Sequence, residues 1–174
     1  MRWSDPFERL SVGERFDSEK RAVRETDVMV FGALTGDRHP LHFDPEWAAH
    51  SPFGERIAHG LLVLSLAVGL VPLDPERVLA LRRVGDVVFK RPVRLNEAIS
   101  VSGEITALRP VDEHSGLVDF GWAIRNEERT LVARANVQLL WRRESVTSEQ
   151  SAPARWYAEI TEGAAPGEFI PVPL

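Results

Sequence analysis

The chain has 174 residues, 44% of them apolar, which matches one ordinary domain with a core of its own. Asp and Glu (26) outnumber Lys and Arg (21), and the formal charge of −5 argues against a general nucleic-acid binder. The absence of cysteine excludes a disulfide framework, a thiolate nucleophile and a thiolate metal site. The opening residues MRWSDPFERL lack the basic-then-apolar layout of a secretory signal, so the expected compartment is the cytoplasm.

In chain order, a strand is predicted over residues 15–23. Thr26 then reads as the cap of a helix whose apolar positions Val28, Phe31 and Leu34 recur at helical spacing. Gly36 suits its exit, so Asp37 begins a loop. Asp44, Pro45 and Glu46 mark the start of a short helix, with Asp as cap and Pro at the first helical position. Pro52 and Gly54 mark a turn. Residues 57–70 are apolar on every face, which predicts a helix enclosed by other structure, and they fall short of the roughly 20 residues that span a bilayer. Residues 77–93, 99–108, 117–124 and 130–141 are rich in β-branched and aromatic side chains and divided by turn formers, which predicts four strands. The sum is an α+β chain in which a long antiparallel sheet curls around one buried helix, the hot-dog arrangement. After Arg143 the composition turns polar and small, so a single domain is expected over residues 1–143. Residues 144–174 are expected to form a linker and tail whose Trp156, Tyr157, Phe169 and Ile170 can dock on the domain or on a partner subunit.

The chemistry concentrates in G-D-R-H-P-L-H-F-D-P at 36–45 and R-I-A-H-G-L-L at 56–62. Asp37 and His42 are five residues apart, and on a continuous helix they would point about 140° away from each other. Pro40 disfavours helical geometry at His39 and cannot donate a hydrogen bond, so an irregular loop is expected, able to bring both side chains onto one water. A carboxylate and an imidazole can exchange protons near neutral pH. Gly60, in the first turn of the apolar helix, has a free backbone N–H, the positive end of the helix dipole and no side chain to keep a carbonyl oxygen away. Taken singly, Asp37 reads as a turn former, His42 as an ordinary loop residue and Gly60 as a packing glycine; the order and spacing of all three carry the catalytic reading.

This block resembles the signature of the MaoC-like, R-specific enoyl-CoA hydratase family. There an Asp precedes a His by five residues, Pro and an aliphatic residue stand between them, and a His-Gly pair opens the central helix. Asp37, Pro40, Leu41, His42, His59 and Gly60 match it, F-K-R-P-V at 89–93 resembles a strand segment of the family, and the likeness covers about residues 8–142. It implies hydration of an enoyl thioester, or the reverse, by Asp37 and His42, with the Gly60 amide as oxyanion donor. Two departures stand out. His39 replaces a common Asn, and Asn96-Glu97 replaces a common Gly-Asp turn.

His39, His59, Ser65 and Arg91 are candidate substrate-binding residues, with His59 also readable as a structural residue at the helix start and Ser65 as satisfied by a backbone carbonyl. Arg82, Arg83, Lys90, Arg91 and Arg94 form a basic stretch that suits the phosphates of coenzyme A or phosphopantetheine, or else a solvated strand face. No resident cofactor is expected, and no metal, because the histidines show no ligand set with nearby carboxylates. The resemblance implies a homodimer acting on a small acyl thioester, with no membrane or nucleic-acid partner. Two rivals share the fold: an acyl-CoA thioesterase, disfavoured because residues 57–70 hold no acid, and a non-catalytic thioester-binding subunit of a heteromeric dehydratase.

Overall fold

Residues 3–144 are described in the computed structural model of the chain. Strands β1 (Arg15–Asp17) and β2 (Arg21–Ala22) lead into helices α1 (Glu25–Thr35), α2 (Pro40–Phe43), α3 (Pro45–Ala49) and α4 (Gly60–Leu70). Four long strands follow: β3 (Val78–Phe89), β4 (Ala98–Pro110), β5 (Ser115–Asn126) and β6 (Leu131–Arg142). They form one antiparallel sheet in the order β1-β4-β5-β6-β3, with β2 also on β4. This is the hot-dog fold, with α4 lying on the sheet.

Alternation along β5 sends Val118, Phe120, Trp122 and Ile124 into the same core as Leu62, Val63, Leu66 and Ala67 of α4, which also packs against β4. Each fully buried aliphatic or aromatic side chain contributes roughly 1.5–3 kcal/mol, so this shared core holds the helix on the sheet. Trp3 packs edge-on against Phe16, Phe120 and Trp141, while the Trp141 indole donates to the Asp5 carbonyl at 2.9 Å. The N-terminal segment is thereby tied over the end of the sheet.

Several expectations need correction. The single strand over residues 15–23 is two short strands, because Ser18 turns its hydroxyl onto the Glu19 carbonyl and accepts from the Val101 N–H, interrupting the ladder. Thr26 does not cap α1. The helix starts two residues earlier, at Glu25 with Arg24 as its N-cap, and the Asp27 carboxylate accepts from the Arg24 N–H at 2.9 Å. The helix α4 is not enclosed on every face: Leu61 is 62% exposed and Val68 36%, and with exposed Ser65 and Gly69 they form a stripe at helical spacing. A single sheet covers one side of a helix. The linker and tail expected over residues 144–174 lie outside the described residues apart from Glu144, which pairs with Arg9 at 2.7 Å.

Candidate active site

The helix α1 ends at Thr35, and Gly36 takes φ +78°, a left-handed conformation that costs a glycine little and turns the chain toward the sheet. Asp37 follows at the surface, its side chain 52% exposed and one oxygen accepting from the His39 N–H at 3.3 Å. The stretch expected to be irregular then forms α2. Pro40 starts this helix instead of breaking it, since at the first helical position its missing N–H costs nothing and its fixed φ fits. The ring of His39 caps α2 through Nδ1, which accepts from the Leu41 N–H at 3.2 Å. Asp44 caps α3, accepting from Glu46 at 2.9 Å and Trp47 at 3.0 Å.

This geometry places His42 in α2, facing residues 57–59. Its Nδ1 lies 2.7 Å from the Ile57 carbonyl oxygen. A carbonyl only accepts, so Nδ1 carries the hydrogen and the neutral ring keeps its lone pair at Nε2. Burial holds the His42 imidazole below its ordinary range. The neighbouring imidazoles of His59 and His39 push the same way, while the Ile57 carbonyl and the Asp37 charge push back.

His59 is buried, 3% exposed, at the N-cap of α4 without capping it through its side chain. Its Nε2 donates to the Asp37 carbonyl at 3.0 Å and lies 3.9 Å from the Asp37 carboxylate. Its ring stacks on His42 with centroids 3.7 Å apart and planes at 31°, and Phe31 and Phe43 flank it at 5.0 and 5.9 Å. His59 thus fastens the Asp37 backbone and backs the His42 ring. Asp37, His42 and His59 offer nitrogen and oxygen atoms all within 4.8 Å of one another. Two histidines and a carboxylate thus come together as a grouping that the spacing in the sequence did not suggest as a ligand set. The stacking is poor for chelation, because lone pairs in the planes of stacked rings do not converge on one ion.

Beside His42 lies a cavity of about 280 Å³ lined mainly by apolar groups, among them Ile57, Val63, Phe89 and Val132, and reaching Gly60. Gly60 is the first residue of α4, so its N–H has no partner within the helix. The space where its Cβ would stand is not open, as the sequence argument supposed. Ring atoms of Phe89 come within 3.0 Å of that point. Lys90 and Arg91 line the same cavity and form no ion pair among the described residues.

The other basic candidates are elsewhere. Arg94 pairs with Glu55 at 2.6 Å, Arg82 donates to Gln138, and Arg83 lines a separate cavity with Asp86, Asp119 and Asn136. Ser65 does not line the cavity beside His42; it sits on the exposed stripe of α4 and donates to the Leu61 carbonyl at 2.8 Å. His39 does not line it either, its ring lying edge-on to Trp47 at 5.1 Å. Phe53 and Phe89 are lining residues that sequence reasoning missed. The only signal was the F-K-R-P-V segment, whose Phe carries no titrating chemistry.

The family profile described as MaoC like domain matches residues 8–120. Over 107 residues, 60% of its length, the chain is 36% identical to a 3-hydroxybutyryl-CoA dehydratase of Methylorubrum extorquens, and the match spans 66% of that protein, just under two thirds. It is 35% identical over 100 residues to an (R)-specific enoyl-CoA hydratase of Aeromonas caviae, covering 58% of this chain and 74% of that one. A solved structure described as a monoamine oxidase regulatory protein from Archaeoglobus fulgius superposes with a TM-score of 0.75 at 37% identity, covering 80% of this chain and 95% of the other.

Proposed function

The chain belongs to the MaoC-like domain family, and we propose that it is a hydro-lyase interconverting an enoyl thioester and an (R)-3-hydroxyacyl thioester. The observation that carries this reading is the placement of a neutral His42, with Nε2 free, in the same apolar cavity as the first amide of α4 and within 4.8 Å of a carboxylate.

In the hydration direction, a water held between Asp37 and His42 attacks the β-carbon of the conjugated thioester. Its proton passes to His42 Nε2, the imidazolium is stabilised by the Asp37 carboxylate, and the proton is then delivered to the α-carbon. The enzyme groups return to their starting state, so one water is added and nothing else is consumed. Between the two transfers negative charge collects on the thioester oxygen, where the Gly60 N–H and the N-terminal dipole of α4 stabilise it. Burial suits His42 to this task, because a ring already protonated at neutral pH could not accept the water's proton.

The acyl group arrives on coenzyme A or a phosphopantetheine arm, and Lys90 and Arg91 at the cavity are the cations free to meet its phosphates. No resident cofactor enters this chemistry. A second copy of the chain covers the exposed stripe of α4 and the open edge of β3.

The test is the loss of conjugated-thioester absorbance on adding the protein to crotonyl-CoA, beside folded Asp37→Asn and His42→Gln variants. Hydration by the wild type with a loss of about 10²-fold or more in each variant is expected. A wild type inactive on enoyl thioesters, or variants as fast as wild type, would overturn the reading.

A further inference from the structure

Phe89 ends β3, opposite Ala133 of β6. Beyond it the backbone is pinned, since the N–H groups of Lys90 and Arg91 both donate to the Val132 carbonyl, at 2.7 and 3.2 Å. The ring can therefore move only by rotation about its own side-chain bonds. It reaches across to α4 and lies along Gly60, with Cε1 and Cζ 3.0 Å and Cδ1 3.1 Å from the point where a Cβ would stand. The apolar residues deeper in the cavity, Ile57, Val63, Val93, Val132 and Ala133, are all less than a tenth exposed, whereas Phe89 is 47% exposed and Phe53 44%. These two rings form the outer wall of the cavity, and Phe89 is the one in contact with Gly60.

The volume of about 280 Å³ falls just below the range of ligand pockets, which run from roughly 300 to 1,000 Å³. With the ring in place, a short acyl chain fills the space beside His42, and a longer one requires the ring to rotate away from Gly60. Displacing a large apolar side chain from its contact costs free energy that a short chain does not have to supply.

We propose that Phe89 is the specificity-determining residue that limits the cavity to short acyl chains, its ring acting as a movable wall against Gly60. The proposal rests on the thioester reading above, so its test uses binding of saturated acyl-CoAs, which have no double bond to hydrate. Dissociation constants for butyryl-CoA and decanoyl-CoA are measured by calorimetry for the wild type, Phe89→Ala and the milder Phe89→Leu.

The wild type is expected to bind butyryl-CoA more tightly. The ratio should shift toward decanoyl-CoA by about tenfold or more in Phe89→Ala, the scale on which apolar pockets discriminate chain size, and by less in Phe89→Leu. Should Phe89→Ala fail to fold, the shift in Phe89→Leu decides. An unchanged ratio in the folded variants would overturn the proposal, as would a wild type that prefers decanoyl-CoA. If the wild type binds with the expected shift but hydrates no enoyl-CoA, the wall stands and the hydratase reading falls. If it hydrates crotonyl-CoA and the ratio does not move, only the wall falls. A wild type that binds neither saturated thioester overturns the wall, and the hydratase reading is then decided by crotonyl-CoA hydration alone.

Discussion

His42 is the base in the proposed reaction, and its surroundings fix a sign for the pH response. Its folded-state pKa lies below the ordinary imidazole value of about 6.5 because burial penalises the imidazolium. Between the folded value and about 6.5 the unfolded chain therefore holds more protons at this site than the folded one. The site's contribution to stability is fully present above about pH 6.5 and is lost as the pH falls through the folded value. The same titration removes the free base, so the acid limb of kcat/KM should lie below about pH 6.5. Denaturant unfolding across about pH 5 to 8 checks the first part: the wild type should gain stability with rising pH relative to His42→Gln over that window. An acid limb at or above the free imidazole value would contradict it. The sequence made His42 and Asp37 legible through their spacing. It did not reveal the stacking of His42 on His59 or the Ile57 carbonyl that sets the tautomer, because both arise from chain segments 15 or more residues apart that only the fold brings together.

At the scale of elements, the site depends on α2 lying close against α1. A Cβ at Gly32 would collide with the ring of Phe43 and stand 2.9 Å from the Asp37 carbonyl oxygen. Gly32→Ala should therefore destabilise the fold by about 1–3 kcal/mol, as overpacking does, and lower kcat/KM by displacing Asp37 and the α2 turn that carries His42. Thermal unfolding and crotonyl-CoA kinetics measure the two effects; a variant with wild-type values for both would show that the contact positions nothing. The four long strands and the Asp44-Pro45 start of α3 were readable because alternation and capping are local signals. Asn96 was readable as a turn residue as well, and it takes φ +67°, a left-handed conformation that Asn tolerates better than most residues. By contrast, α2 was missed because a proline is a breaker within a helix and a starter at its first position, and the residues alone did not say which role Pro40 plays. The outer-wall role of Phe89 and Phe53 was equally hidden, since a strand-end aromatic reads as core until its exposure is known.

For the whole molecule, the apolar stripe of α4 explains why the sequence looked enclosed on every face when one sheet covers only part of the helix. Leu61 and Val68 remain in water in a single chain, as do Leu79, Leu81 and Val84 on the edge strand β3. The proposed second copy would bury this surface, which a monomer leaves in water. Sedimentation should give the mass of two chains for the wild type and of one for Leu61→Glu; a monomeric wild type would contradict this account. No helix among the described residues is long and apolar enough to cross a membrane.

The central claim is that Asp37 and His42 act as one unit on a single water, and the rate of crotonyl-CoA hydration by Asp37→Asn, His42→Gln and the double variant tests it most directly. Groups that share one step are strongly non-additive, so the double variant should be no slower than the slower single variant, each about 10²-fold or more below wild type. Losses that multiply in the double variant would mean that the two side chains serve separate steps, and the shared-water account would be wrong.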